Sequence, residues 1–289
     1  MDLGLHFKKH IKGITKSSPR SKIVLRYDII LIQEVLDPDW KVTKRLMDLV
    51  NNGSPQFANI SSEPLGPGSH RRDTSSSTGF RRFFYGPSHS LRWRHLFERP
   101  PFVVKFSSTE TDVEEFVLIP IHTSPRTAAE AARQYKMSTV GELKALVNVV
   151  KEAKSQWHNN NIMVLGDFNA AGTYVRRDDF RNIPLFTDNN FHWLIDHDVD
   201  TTMSGSQKAY DRIVVTTDMN NGVVPCSADV FNFKNKYGLT QAQTLAVSDD
   251  FPVEVELRNT GTTTQTPTTQ TPRRKQTYQE SLLSLEFSV

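Results

Sequence analysis

The sequence predicts an α/β or α+β layered domain ending near Leu257, and three observations carry that expectation. Apolar, β-branched runs recur along the chain, a long amphipathic helical stretch lies between two groups of them, and beyond Leu257 the composition turns to Thr, Gln and Pro. At 289 residues with 37% hydrophobic content the chain can bury a core of ordinary size, and one domain is expected.

The elements follow in order. "YDIILIQEV", Tyr27 to Val35, reads as a buried strand that presents Gln33 and Glu34 at its C-terminal end. "DWKVTKRLMDLVNNG" places an Asp before helical spacing and Asn-Gly after it, a capped helix. "PFVVKFSS" and "EFVLIPIH", separated by polar residues, read as an antiparallel hairpin. From Arg126 to Trp157 the pattern is helical, with Leu143, Leu146, Val147 and Val150 on one apolar stripe and a break signalled near its middle by "MSTV" and Gly141. "NIMVLGDFNA", "AYDRIVVTT" and "AVSDDFPVEVEL" are three further strands, the last with Val253, Val255 and Leu257 on one face. Residues 1–257 thus form the domain, and 258–289 read as a disordered tail that buries too little apolar surface to fold.

The net charge of +3, with an isoelectric point near 8.9, tolerates a polyanionic partner without demanding one. The single cysteine, Cys226, excludes an intrachain disulfide and a thiolate metal site. No stretch approaches a membrane span, and "MDLGLHFKKHIKGITKSSPRSK" lacks the apolar core of a signal peptide, so a soluble chain with no visible export route is expected.

Polar groups collect where the strands end: Glu34, His122 in "IPIHTSP", Asp167 and Asn169 in "LGDFNA", Asp211 in "AYDRI", and Asp249 with Asp250 in "SDDFP". Each alone has an ordinary explanation, because Asp and Asn favour strand-terminal turns and a lone His is commonly structural. Five apolar strands ending this way gather ionisable groups at one rim of a sheet, which makes a site. The collection suits phosphodiester hydrolysis, in which a carboxylate holds a divalent cation, an oriented base deprotonates water and donors meet the charged transition state.

"YDIILIQEV", "IPIHTSP", "GDFNA", "YDRIVV" and "SDDFPVEV" occur in the order and approximate spacing of the deoxyribonuclease I family, which the chain resembles from about Ser21 to Leu257, also through "SSEPLG", "DFRNIPLFTD" and "VFNFKNKYGLT". The resemblance implies a four-layer α/β/β/α sandwich, two packed and mainly antiparallel sheets flanked by helices. It further implies a monomeric endonuclease that cuts double-stranded DNA with Mg²⁺ and Ca²⁺. Carried over by position, Glu34 and Asp249 match metal-site carboxylates, His122 a catalytic histidine and Asp167 its neighbouring carboxylate. Asn169 and Asp211 match residues that hold the scissile phosphate and orient a histidine. Arg99 in "FERPP", Tyr174 and His70 match DNA contacts, and Asp200, Thr202, Ser204 and Ser206 match an alternating calcium-binding run.

The departures are as specific. Asp250 stands where the family has a catalytic histidine, and an aspartate with an ordinary pKa of about 3.9 is a poor proton donor at neutral pH. The family's catalytic glutamate falls at Arg72, beside Asp73, in what reads as an exposed loop, "PGSHRRDTSSS". The cysteines of the family's disulfide fall at Gly172 and Lys208, and its asparagine-bearing first strand finds no counterpart before Ser21, so that strand is expected to be missing. These changes predict a cation-dependent endonuclease of strongly reduced activity. The alternative is a catalytically inactive module that binds DNA or protein, for which Arg71, Arg72, Arg81, Arg82, Arg92, Arg94 and Arg99, interleaved with aromatic residues, offer a basic surface. The resemblance points to secretion or an endomembrane lumen, while the visible start supplies no route there.

Overall fold

Alternation along the strands decides how the layers stack. In the computed structural model, which describes residues 2–5, 18–35, 39–52, 57–62, 75–80, 84–89, 93–203, 205 and 207–261, twelve strands form two six-stranded sheets. The first contains β1 (Asp2–Leu5), β2 (Ile29–Val35), β3 (Ala58–Ser61), β4 (Ser75–Phe80), β11 (Asp229–Val230) and β12 (Val253–Glu256), in the order β11-β12-β1-β2-β4-β3. The second contains β5 (Phe84–His89), β6 (Val103–Ser107), β7 (Glu115–His122), β8 (Ile162–Asp167), β9 (Phe191–Trp193) and β10 (Asp211–Thr216), in the order β5-β6-β7-β8-β10-β9. Pairing is antiparallel except between β1 and β2 and between β7 and β8.

One parity of each strand fills the space between the sheets: Ile29 and Leu31 of β2, Leu118 of β7, Met163 and Leu165 of β8, Ile213 and Val215 of β10, and Val253, Val255 and Leu257. The other parity faces outward and is covered by helices. α1 (Pro19–Val24), α2 (Lys41–Val50), α8 (Phe233–Tyr237) and α9 (Gln241–Val247) pack on Ile30 and Ile32 of the first sheet. α3 (Ala128–Gln134) leads into α4 (Thr139–Trp157), which with α5 (Arg177–Phe180) and α6 (Pro184–Thr187) lies on the side of the second sheet, where Leu143, Leu146, Val147 and Val150 of α4 pack on Val117, Ile119 and Val164. The short α7 (Thr217–Asn221) follows β10. Helix, sheet, sheet and helix make four layers, as expected, and a core truncation such as Leu143→Ala should cost about 2–5 kcal/mol.

Several expectations need correction. The first strand is present: β1 occupies the interior of its sheet, parallel to β2 (Leu3↔Ile29, Leu5↔Leu31) and antiparallel to β12 (Leu5↔Val253). Four residues interrupted by Gly4 are too short for alternation to announce a strand, although Asp2–Leu5 holds no asparagine. The loop expected at "TSSS" is partly strand, since Ser75–Ser77 begin β4. The helical region breaks at residues 135–138, overlapping "MSTV" as expected but ahead of Gly141, because Tyr135 closes α3 in the left-handed region at φ 53° and Ser138 caps α4 by accepting from the Gly141 amide. Asp39 is not the cap of α2; Trp40 occupies that position, and Asp39 pairs with Lys41. The folded chain also continues past Leu257, with Asn259 bridging Thr111 and the Thr260 amide bonded to the Glu110 carbonyl at 3.0 Å. Residues 262–289, the rest of the expected tail, lie outside the described residues. Among the described residues no helix is long and apolar enough to cross a membrane.

Candidate active site

The register of β7, β8 and β10 sets three polar side chains side by side. His122 pairs with Asp167, and Asp167 pairs with Asp211, so the ends of three neighbouring strands form one row. Directly paired residues point to the same face of a sheet, so alignment of the ladder alone brings these groups together. All three are buried. His122 Nε2 lies 3.7 Å from Asp167 Oδ2 and 3.8 Å from Glu34 Oε1, outside hydrogen-bond range but close enough for the charges to interact.

Glu34 reaches the row from the other sheet. The pairing of β2 with β4 shifts between Ile32 and Val35, and Glu34 has φ 54°, a bulge geometry that re-aims a side chain at a strand end. Its neighbour Gln33 shares the parity of Ile29 and Leu31 and therefore points between the sheets. There its Nε2 donates to the Ile121 carbonyl at 3.0 Å and its Oε1 accepts from the Asp167 amide at 3.2 Å. One buried amide thus joins the first sheet to the residue before His122 and to Asp167 itself. Gly166 makes room for it: a Cβ there would sit 2.0 Å from the Ile121 carbonyl oxygen and 3.1 Å from both Gln33 amide atoms, and its φ of +132° suits glycine alone.

Asn169 follows at φ 46° with its amide on Asp167 Oδ1 at 2.9 Å, which fixes that carboxylate. Its Nδ2 spends one hydrogen on the Thr123 carbonyl at 3.0 Å. The Asp211 amide donates to Thr201 Oγ1 at 3.2 Å, and the Thr201 carbonyl accepts from Phe251 at 2.8 Å. Thr202 bridges Asp250, and the Asp249 carbonyl accepts from Met203 at 2.9 Å. Through Thr201 and Thr202 the Asp249–Asp250 segment is laced to the start of β10, with Asp250 buried and Asp249 half-buried. Tyr174 is near the same end, its ring 6.4 Å from that of Tyr210.

In the expected calcium run, Asp200 Oδ1 accepts from the Thr202 amide and hydroxyl, both at 3.0 Å, and from the Lys208 amide at 3.2 Å. Ser204 and Ser206 lie outside the described residues, as do His70, Arg72 and Asp73. Gly172 and Lys208, where the resemblance puts the family's disulfide, are neighbours in space, since a Cβ at Gly172 would touch Lys208 Cε and Nζ at 3.4 Å. Arg99 is half-buried, with Nε and Nη1 buried and without a hydrogen-bond partner among the described residues.

The donor set consists of hard carboxylate oxygens with one imidazole, which suits Mg²⁺ or Ca²⁺. Among the described residues no group of three or more His, Cys, Asp or Glu side chains is placed to hold a metal ion. Mg²⁺ does not require one, because it binds through one or two carboxylates while keeping waters and substrate phosphates.

The chain matches the endonuclease/exonuclease/phosphatase family over residues 18–275. It is 37% identical to deoxyribonuclease-1 of Bos taurus, covering 86% of each chain, and 34% identical to deoxyribonuclease gamma of Homo sapiens, covering 88% of this chain and 83% of that one. The chain belongs to the deoxyribonuclease I family. Among solved structures it resembles an AP endonuclease from Archaeoglobus fulgidus, with a TM-score of 0.59 at 12% identity over 89% of this chain and 99% of that one. The human Nocturnin catalytic domain gives a TM-score of 0.55 at 14% identity, over 90% and 94%. At such identities these structures bear on the fold, and the sandwich is theirs too.

Three supports of this candidate site carry only indirect signals in the sequence. Gln33 was read only as a strand-end residue; its parity with Ile29 and Leu31 is the signal that it points inward. Arg212, of opposite parity to Asp211, is fully buried and donates to the Ala209 and Ile195 carbonyls at 2.6 and 2.8 Å and to His197 Nδ1 at 3.0 Å. Burial, and secondarily the Arg212 cation, lower the His197 pKa to about 3. Glu142 had a signal as well, since it interrupts the apolar stripe of α4 and an acid there must be buried.

Proposed function

We propose that this chain is a divalent-cation-dependent endonuclease that hydrolyses phosphodiester bonds of double-stranded DNA, with activity well below that of a complete relative. The observation that supports it most is the register-held row of His122, Asp167 and Asp211 beside Glu34. Glu34 and Asp249 are the residues that would hold Mg²⁺, and Asp200, Thr202, Ser204 and Ser206 those that would hold Ca²⁺. A bound cation neutralises phosphate charge and lowers the pKa of water. His122 moves a proton at Nε2, between two carboxylates that favour a developing positive charge on the ring. Asp167, fixed through Oδ1 by Asn169, keeps Oδ2 toward that ring. Asn169, Arg99, Tyr174 and His70 bind the DNA.

Asp250 carries the case for reduced activity, and it also favours a second reading, a module that binds DNA without cutting it. The departure removes an imidazole from the rim, and loss of one general acid or base typically costs about 10²- to 10⁴-fold in rate. Nicking of supercoiled plasmid with Mg²⁺ and Ca²⁺, by the chain and by Asp250→His side by side, separates the readings. Chelator-sensitive nicking by the unmodified chain is the expected result. Nicking by Asp250→His alone would favour the binding module, and none by either, with both folded, would overturn the endonuclease.

A further inference from the structure

Glu142 lies in the first turn of α4 and is completely buried, on the stripe that also holds Leu143 and Leu146. A buried acid is costly unless its oxygens are bonded. Here each oxygen accepts one backbone amide from a different segment: Oε1 from Glu98 at 3.2 Å and Oε2 from Ser124 at 2.9 Å. Glu98 immediately precedes Arg99 in the loop before β6, and Ser124 follows His122 by two residues. Burial pushes the Glu142 carboxyl up to about 7, against the opposing pull of these amides and of the Arg99 cation.

The surrounding groups fasten the same junction. Thr139 Oγ1 donates to the Ser124 carbonyl at 2.6 Å and accepts from the Arg126 amide at 3.0 Å. The Glu98 carboxylate pairs with Arg126, with Lys136 at 3.1 Å and with the Ser124 hydroxyl at 3.3 Å. Glu98 is therefore occupied on the outer side, while the Arg99 guanidinium keeps Nε and Nη1 without a hydrogen-bond partner among the described residues. The backbone anchor at Glu98 sits beside this cation, whose charge also acts on Glu142.

We infer that Glu142 is a positioning residue of the active site: its carboxylate locks the Arg99 loop to the strand end that carries His122, so that cation and imidazole address one phosphate. The inference rests on the nuclease reading and adds to it a part that touches neither DNA nor metal. Its logic is the pair of carboxyl oxygens, since a shorter side chain lacks the reach and an amide offers one oxygen for two N–H groups. Glu142→Gln keeps the volume but turns one acceptor into a donor facing an N–H.

The test is a double-mutant cycle of Glu142→Gln and Arg99→Ala, read as plasmid nicking (kcat and KM separately) and as affinity for a fluorescent duplex, with thermal midpoints for every variant. If Glu142 acts through Arg99, the Gln variant loses about tenfold or more in the unmodified background and less than about twofold in Arg99→Ala. A purely structural carboxylate would give the same loss in both backgrounds and overturn the inference while leaving the nuclease reading intact. If the unmodified chain neither binds nor cuts DNA, the nuclease reading fails and this inference with it. Should Glu142→Gln not fold, Glu142→Asp, which keeps the charge but not the reach, runs the same cycle.

Discussion

His122, Asp167 and Asp211 are held by the ladder of three neighbouring strands, whereas Asp249 and Asp250 approach from the other sheet and are tied in through Thr201, Thr202 and Met203. The first arrangement has little freedom, because moving any one of the three means slipping a strand whose other residues pack two cores at once. The second is a loop contact that accepts a different side chain without disturbing the ladder. The departure proposed at Asp250 falls on the loop-held rim, and the proposed matches His122, Asp167 and Asp211 fall on the strand-held row.

Gly166→Ala attacks the ladder where Gln33 crosses between the sheets. The added methyl would meet the Ile121 carbonyl at 2.0 Å in a backbone conformation that disfavours side chains, and no flexible neighbour can yield. A loss of about 3 kcal/mol or more is expected, with activity falling alongside it, and urea denaturation reads the stability directly. A variant as stable as the parent would show that the sheet junction is looser than the row requires. His122→Ala should do the reverse, lowering nicking by about 10²- to 10⁴-fold while the urea midpoint stays within the range of an ordinary substitution. Gln33→Leu should fall between them: it removes the Gln33 bonds to the Ile121 carbonyl and the Asp167 amide, costing about 1–3 kcal/mol, with a rate loss that a stabilising cosolvent does not restore.

The strand-held row was legible because each member closes an apolar run, so "IPIH", "VLGD" and "YDRI" announce both the strand and its chemistry. Register itself is not written in any single strand, so the members of the row are readable from the sequence without their alignment. β1 went unread for a different reason: four residues with a central glycine carry no usable period, and the strand gains its place from β12 and β2 on either side. Gln33 and Glu142 were passed over because a polar residue at an apolar position reads as an imperfection of the stripe until its partners, distant in sequence, are known.

The outer side of the row gives the subtlest prediction, and it concerns pH. Arg212 has no acceptor function, so its bond to His197 requires a lone pair on Nδ1 and an unprotonated ring. Unfolded, His197 takes up a proton below about 6.5; folded, it resists until about 3. Between those values the unfolded chain binds more protons at this position, so stability rises with pH and is lost on acidification. Glu142 contributes the opposite slope, because the folded acid is protonated already near 7 and the unfolded one only near 4.5. His197→Asn, which keeps an acceptor for Arg212 and removes the titration, should therefore lose less stability than the parent between pH 6.5 and pH 4.5. The slopes should differ by at most about 1.4 kcal/mol per pH unit, measured from urea midpoints across that window. Equal slopes would mean that His197 takes up its proton in the folded protein after all, and that Arg212 holds the back of the Asp211 strand through the Ala209 and Ile195 carbonyls alone.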